Sequence, residues 1–379
     1  MIISSQRALF DIPRDITYFN CAYMSPLLRA AVAAGTRGLE RKARPWSISA
    51  ADFFSESDEA RQRFAALINA DHTGIAIVPS ASYALSVAAR NIPIPQGGEI
   101  VLLAEQFPSN VYPWRNASDA QKGRIVAVDR PCDNDWTAAV CTAITPRTAV
   151  AALPHCHWTD GSLINLETVR ARCDEVGAAL VVDATQSAGA LAFDVNAVRP
   201  DFVACAAYKW LLGPYSLGFL YAAPHRRDGA PIEHGWITRG GSENFSTLLD
   251  YRDDFQPGAQ RYDMGERANF ALLPAAIAAL DQLLAWGVDN IQTTLTQMTT
   301  DIAERAADIG LTSVAKASRA GHFLGLSFPN GAPPAGLLER LANAGVYVSV
   351  RGHSMRVTPH LYNTEEDVGR LMDALKSAI

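Results

Sequence analysis

Short apolar runs rich in β-branched residues alternate with helical stretches of mixed polarity between about residues 75 and 225. Each run is apolar throughout, which is the pattern of strands buried on both faces of a mainly parallel sheet with helical crossovers. The runs cover residues 74–78, 99–103, 124–128, 149–153, 179–183 and 201–205. The pattern therefore predicts an α/β fold.

A different pattern begins at Pro274. A stretch rich in Ala, Leu and Gln continues to Gly310 with an interruption near Gly287, which predicts two helices that leave the main sheet. A second unit follows, in which Thr364 begins a capping pattern for the last helix. Its predicted strands cover residues 321–328, 346–350 and 355–358, and a predicted helix covers 337–344. We therefore expect a smaller second domain after a boundary near residue 275.

Composition places the chain among ordinary globular proteins, with 379 residues, 49% hydrophobic and 19% charged. The net charge of −6 disfavours nucleic acid or anionic membrane as a partner. Six cysteines without a C-x-x-C pair do not predict a disulfide framework, so we expect a reducing compartment. No apolar run approaches the roughly 18 residues of a membrane span, and no secretory pattern opens the chain. We expect a cytoplasmic protein.

Candidate chemistry lies just after two of the predicted strands, where ligands collect in open α/β sheets. Asp183 ends one strand, and Lys209 follows the next among apolar neighbours that would lower its pKa and free its amine. A lysine that forms a Schiff base and an aspartate that keeps a pyridine nitrogen protonated are what pyridoxal phosphate requires. Each residue alone is weak evidence for a cofactor site, since Val-Val-Asp occurs in many nucleotide-binding sheets and a lysine after a strand is usually solvated.

Three segments together resemble the class V aminotransferase superfamily of fold type I pyridoxal phosphate enzymes. They are the strand-D-x-x-Q segment, a Tyr-Lys-x-x-x-Gly-Pro segment whose lysine lies 26 positions after the aspartate, and the C-terminal segment from Arg356 to Thr364. The resemblance extends from about Tyr18 to the C-terminus. It covers a group that includes cysteine desulfurases, kynureninases, isopenicillin N epimerase-like proteins and C–S lyases.

The resemblance implies an aspartate aminotransferase-like fold in three parts. Residues 1–25 would join the small domain and the active site, residues 26–275 would form the large cofactor domain, and residues 276–379 the small α+β domain. It also implies a homodimer with active sites near the interface.

The cofactor pyridoxal 5'-phosphate would form its Schiff base with Lys209, while Asp183 would partner the pyridine nitrogen. Gln186 would hydrogen-bond the phenolic oxygen, with Thr159 near the same oxygen. Phe107 resembles the aromatic ring that stacks on the cofactor.

For the phosphate, the resemblance implies Ala81 and Ser82 at a helix N-terminus, Tyr208, and Trp236 reaching from a neighbouring subunit. The alternative for the helix N-terminus is a simple cap made by Ser80 or Ser82.

An amino-acid substrate would be held by Arg356 through its α-carboxylate, with Arg351 as a competitor for that role. Asn20 and Tyr23 would line the substrate pocket. The His155-Cys156-His157 run does not predict a metal site, because crowded side chains alternate across a strand and cannot surround one ion.

The reaction stays open between transamination and β-elimination or C–S cleavage, with epimerisation as an alternative. A desulfurase is disfavoured, because its nucleophilic cysteine should precede Arg356 and no cysteine follows Cys205. A non-catalytic binding protein is the alternative of another class. Such a protein could bind a nucleotide, but the sequence lacks both G-x-x-x-x-G-K-[ST] and G-x-G-x-x-G. It could also be a member of the superfamily that has lost its chemistry, but the presence of Lys209 argues against this.

Overall fold

A seven-stranded sheet, a four-stranded sheet, a two-stranded sheet and their helices make up the computed structural model, which describes residues 1–379. The strands are β1 (Thr17–Tyr18), β2 (Ile75–Val78), β3 (Glu99–Leu103), β4 (Arg124–Val128), β5 (Thr148–Pro154), β6 (Ala179–Asp183), β7 (Phe202–Ala206), β8 (Gly218–Ala222), β9 (Thr312–Ser313), β10 (Leu324–Ser327), β11 (Val346–Tyr347), β12 (Ser349–Arg351) and β13 (Ser354–Val357). The helices are α1 (Arg29–Lys42), α2 (Ser55–Leu67), α3 (Ala81–Asn91), α4 (Tyr112–Ala120), α5 (Trp136–Ala143), α6 (Leu166–Val176), α7 (Val195–Val198), α8 (Leu272–Trp286), α9 (Val288–Ala307), α10 (Leu337–Asn343) and α11 (Glu365–Ala378).

The central sheet has seven strands in the order β2-β8-β7-β6-β5-β3-β4. All six predicted strands are present, and the α/β prediction is confirmed. A seventh strand that the sequence pattern did not predict, β8, pairs antiparallel with both β7 and β2. The connection from β7 to β8 is too short for a helical crossover, so β8 has to reverse direction.

Alternate residues of each central strand enter opposite faces of the sheet. In β6, Leu180 and Val182 join one buried apolar cluster, while Val181 joins the cluster on the other face. This double burial explains why the strand sequences are apolar throughout instead of alternating. It also leaves the strand ends as the places where polar side chains can gather.

The second sheet has the antiparallel order β12-β13-β10-β9 and packs against α10 and α11. The predicted cap of α11 is present, since the side chains of Thr364 and Asp367 each accept from the other residue's backbone N–H. The N-terminal strand β1 pairs parallel with β11, which attaches the start of the chain to this C-terminal unit.

The predicted break near Gly287 separates α8 from α9, and Gly287 has a φ of +77° that favours glycine. Helix α8 packs in the cluster under the central sheet. Helix α9 begins there with Leu295 and ends with Ile302 and Ala306 in the cluster of the second sheet. No single helix is long and apolar enough to cross a bilayer; α8 and α9 meet that test only as a pair bent by 76°.

Candidate active site

A cavity of about 310 Å³ lies at the carboxyl ends of the central strands. Segments that follow β2, β3, β5, β6 and β7 form its wall, as expected for an open α/β sheet. Seven of the residues predicted for the site line it: Ala81, Ser82, Phe107, Asp183, Gln186, Tyr208 and Lys209.

Lys209 lies in the turn that leaves β7. Its side chain is buried, with Nζ at 5.3 Å from the ring centroid of Phe107 and 5.4 Å from that of Tyr208. Burial lowers the pKa of Lys209 to about 8, although the charge of Asp183 acts in the opposite direction. About a tenth of this amine is therefore uncharged at pH 7, against less than about a thousandth for an ordinary lysine, and the uncharged form is what a nucleophile or base requires.

Asp183 ends β6 and is buried at the same cavity. Desolvation raises the pKa of its carboxyl, which hydrogen bonds from Thr185 and the charge of Lys209 only partly offset. Its Oδ1 accepts from the Thr185 backbone N–H at 3.0 Å, and it forms no salt bridge with an arginine. A buried carboxylate with spare acceptor capacity fits the protonated ring nitrogen of pyridoxal phosphate.

Gln186 is held by two hydrogen bonds that assign its amide orientation. Its Oε1 accepts from Trp210 Nε1 at 2.9 Å, and its Nε2 donates to the Ala22 carbonyl at 3.1 Å. His322 Nε2 also donates to the backbone carbonyl of Gln186 at 2.6 Å. One N–H of Nε2 stays available, so Gln186 can offer a donor to an oxygen in the cavity.

The N-terminus of α3 is capped by Ser80, whose side chain accepts from the Tyr83 backbone N–H at 3.1 Å. This cap leaves the N–H groups of Ala81 and Ser82 unpaired at the cavity wall. The Ser82 hydroxyl donates to Ser109 Oγ at 2.8 Å. The helix N-terminus therefore has its own cap and also retains donors for an anion such as a phosphate.

The structure does not bring Thr159 or Trp236 to this cavity. Thr159 Oγ1 bonds Arg130 and His157, and its neighbour Trp158 lines the cavity instead. Trp236 is 42% exposed and lies on a separate cavity of about 400 Å³ that Glu266 also lines.

Arg356 is buried on the second sheet, next to the Trp158 segment. Its Nε donates to Ser349 Oγ at 2.9 Å, and that hydroxyl donates to Asn20 Oδ1 at 2.8 Å. Its Nη1 donates to the Trp158 carbonyl at 3.2 Å. Burial, and then the charge of Arg351, lowers the pKa of Arg356 to about 9. Every hydrogen-bond partner is neutral, so this guanidinium can still bind an anion.

The predicted pocket residue Tyr23 is 51% exposed and lies within electrostatic range of Tyr208. Cys156 also lines the cavity, but burial raises the pKa of its thiol, as it does for Cys205. Both thiols are thus poor nucleophiles.

Four residues that sequence reasoning missed contribute to the geometry: Thr185, Trp210, His322 and Ser109. Thr185 had a local signal, because a residue two positions after an aspartate commonly donates its N–H to that carboxylate. His322 had none, since it lies 136 positions from Gln186 in sequence.

The family model for Aminotransferase class-V matches residues 40–371. The chain belongs to the class-V aminotransferase family. It is a pyridoxal phosphate-dependent enzyme, and the cavity fits that cofactor with a buried amine, an unpaired carboxylate and a helix N-terminus. The family membership that the sequence motifs predicted is confirmed.

This class-V chain is 28% identical to an uncharacterized aminotransferase, YcbU, from Bacillus subtilis, over 84% of this chain and 83% of the relative. It is 26% identical to the isopenicillin N epimerase of Streptomyces clavuligerus, again over 84% and 83%. Among solved structures, its fold is similar to a complex of the cystine C–S lyase C-DES with cysteine persulfide. That match has a TM-score of 0.85 and 20% identity and covers 96% of this chain and 97% of that one.

Proposed function

We propose that this class-V enzyme is an aminotransferase that moves a proton at the α-carbon of an amino acid with Lys209. The observation that carries the proposal is the buried Lys209 amine, whose pKa is about 8, at the same cavity as Asp183. Pyridoxal phosphate, when bound, supplies an aldehyde that captures amines and a ring that accepts electrons.

The chain's residues divide the work of holding that cofactor. Backbone N–H groups of Ala81 and Ser82, with Tyr208, would hold the phosphate, and Asp183 would hold the ring nitrogen. Gln186 would donate to the phenolic oxygen, and Phe107 would pack on the ring face.

Arg356 would bind the substrate carboxylate and so orient the α-carbon above the lysine. Lys209 would then accept the proton from the α-carbon and release it to the carbon on the other side of the amine nitrogen, which is the 1,3-proton transfer that transamination needs. Burial raises the pKa values of Cys156 and Tyr208, which leaves Lys209 as the base suited to neutral pH.

Loss of a β-substituent is the second candidate, because it begins with the same proton removal and the fold is similar to that of a C–S lyase. Departure of the substituent also calls for a protonated acid, which Lys209 would be once it has taken the α-proton. Epimerisation is not favoured. It needs proton return on the opposite face, and the cavity offers one base near neutral pH.

The test mixes the holoprotein with a panel of amino acids and follows the visible cofactor band together with the products. Transamination predicts conversion to the pyridoxamine form and release of a keto acid. Pyruvate, ammonia or sulfide released while the original band persists would instead indicate a lyase.

Borohydride should fix the cofactor on the peptide that contains Lys209. Lys209→Ala should abolish this adduct and lower turnover by about 10⁴-fold. The matched control is Lys316→Ala, which removes an exposed lysine and should change neither quantity. A reducible adduct that persists in Lys209→Ala would overturn the assignment.

We also propose a homodimer in which Trp236 reaches the partner's cofactor phosphate. Trp236, itself 42% exposed, packs edge-on against Phe53 and Phe245, and the chain after Phe245 exposes further large apolar side chains, with Leu249 at 85% and Tyr251 at 93% exposure. Such a patch favours burial against a second copy. Sedimentation should give a two-chain species, and Trp236→Ala should weaken phosphate binding.

We propose the cytoplasm as the compartment. All six cysteines are free, and four of them are buried. This supports a reducing environment, in which thiols persist.

A further inference from the structure

Arg351 and Arg356 extend from the same face of the second sheet. In the β12–β13 pair, Ser349 lies opposite Arg356 and Arg351 lies opposite Ser354. Residues two apart on a strand share a face, as do residues directly opposite. Arg351 and Arg356 are therefore diagonal neighbours, a relation in which long side chains can act on one ligand.

Neither arginine has an acidic partner. Arg351 donates from Nη1 to the carbonyl of its own neighbour Val350, at 2.7 Å, and Arg356 bonds only Ser349 Oγ and the Trp158 carbonyl. The Ser354 hydroxyl on this face is buried without a hydrogen-bond partner. Two adjacent cations beside a spare hydroxyl form a site that an anion would neutralise.

This face is connected to Lys209 through aromatic side chains. The Arg356 guanidinium lies 5.9 Å from the ring centroid of Trp158, whose ring meets that of Phe107 edge-on at 5.4 Å. Phe107 in turn lies 5.3 Å from Lys209 Nζ. The charges of both arginines lower the pKa of Lys209, so both lie within electrostatic range of the reacting amine.

Acidic groups that could accept a cationic substrate side chain are scarce here. Asp183 is the only acidic residue that lines the cavity, and it lies at the end of β6. Asp160, near the second sheet, is bound to Arg130 at 2.5 Å. The charge around the site thus favours an anionic substrate over a cationic one.

We infer that the substrate is an amino acid with a second carboxylate on its side chain, which Arg351 binds while Arg356 binds the α-carboxylate. The inference rests on the proposed function and deepens it. Both arginines then have a role, and Arg351 determines specificity.

The test compares acidic amino acids with their neutral isosteres, aspartate with asparagine and glutamate with glutamine, in the holoenzyme. We expect the acidic member of one pair to have a kcat/KM about 100-fold higher. Arg351→Gln should reduce that ratio about 100-fold, mainly through KM. Arg90→Gln, which removes an exposed arginine on α3, should leave the ratio unchanged.

A second measurement uses wild-type protein and does not depend on the folding of a variant. Succinate, which carries two carboxylates, should compete with the substrate at least tenfold more tightly than butyrate, which carries one.

Two results would overturn the inference alone: neutral amino acids that react as well as acidic ones, or an Arg351→Gln variant that lowers both members of a pair equally. A cofactor band that responds to no amino acid would overturn the proposed function as well, so the two failures can be distinguished.

Discussion

The two edges of the central sheet treat buried charge in opposite ways. At the amino edge, Asp201 precedes β7 and is bonded by the Leu180 N–H and by the side chains of Arg170, Arg226 and His225. Burial alone would raise the pKa of Asp201, but these hydrogen bonds lower it. The charged form is therefore stabilised at this edge.

At the carboxyl edge, Asp183 has only Thr185 and a distant lysine, and its pKa is raised. Lys209 lacks a salt bridge there, and its pKa is lowered. The sheet thus places its fully paired charges where they stabilise the fold. It keeps charged groups that lack an ion-pair partner where a ligand can supply that partner.

The largest expected effect is on turnover, and it tests whether the carboxyl edge serves activity rather than stability. Asp183→Asn removes the charge that would keep the cofactor nitrogen protonated, so turnover should fall by about 10³-fold. The unfolding midpoint should stay within a few degrees of wild type, because no salt bridge is broken. Asp308→Asn, at an exposed position, is the control for both measurements. Unaltered turnover in Asp183→Asn would contradict the functional role of this edge.

The next largest effect is on the free energy of unfolding, and it tests whether the amino edge serves stability rather than activity. Asp201→Asn leaves Arg170, which is 93% buried, without its interior carboxylate, so the free energy of unfolding should fall by about 3 kcal/mol. Folded Asp201→Asn protein should retain wild-type turnover, the reverse of Asp183→Asn. Denaturant titration and steady-state kinetics measure the two quantities. An Asp201→Asn variant that loses turnover but not stability would contradict the proposed difference between the two edges.

The smallest effect concerns pH. An ordinary lysine has a pKa near 10.5, whereas that of Lys209 is about 8, so its uncharged fraction falls about tenfold per pH unit below 8 and levels off above it. The rate at which apoprotein captures pyridoxal phosphate, followed by the visible band, should show the same profile. Capture by a free lysine derivative, the control, should keep rising to about pH 10. A protein profile matching that control would contradict a desolvated Lys209.

Local sequence was enough to predict the strands and the residues at their ends. Asp183 and Lys209 could be identified because each follows a continuous apolar run. β8 was missed because no helical stretch separates it from β7, so it does not fit the alternation of strands and helices by which the other strands were predicted. Trp158 and Thr159 differ by one position, and residue type alone could not say which lines the cavity. The support of Gln186 by His322 depends on a tertiary contact.

The division of the chain at residue 275 stays a prediction. Helix α8 spans that position, and its residues on both sides of it pack under the central sheet, while α9 extends from that cluster to the next. This packing favours a boundary within α9.

The attachment of the N-terminal segment to the C-terminal unit has a consequence for synthesis on the ribosome. Arg7 pairs with Asp367, and β1 pairs with β11, so this N-terminal segment has to wait for partners that are made more than 300 positions later. The same segment carries Ala22, whose carbonyl receives the Gln186 amide at the cofactor cavity. The nascent chain can therefore fold its central sheet early, but this support of Gln186 forms only after residues 346–367 have been made.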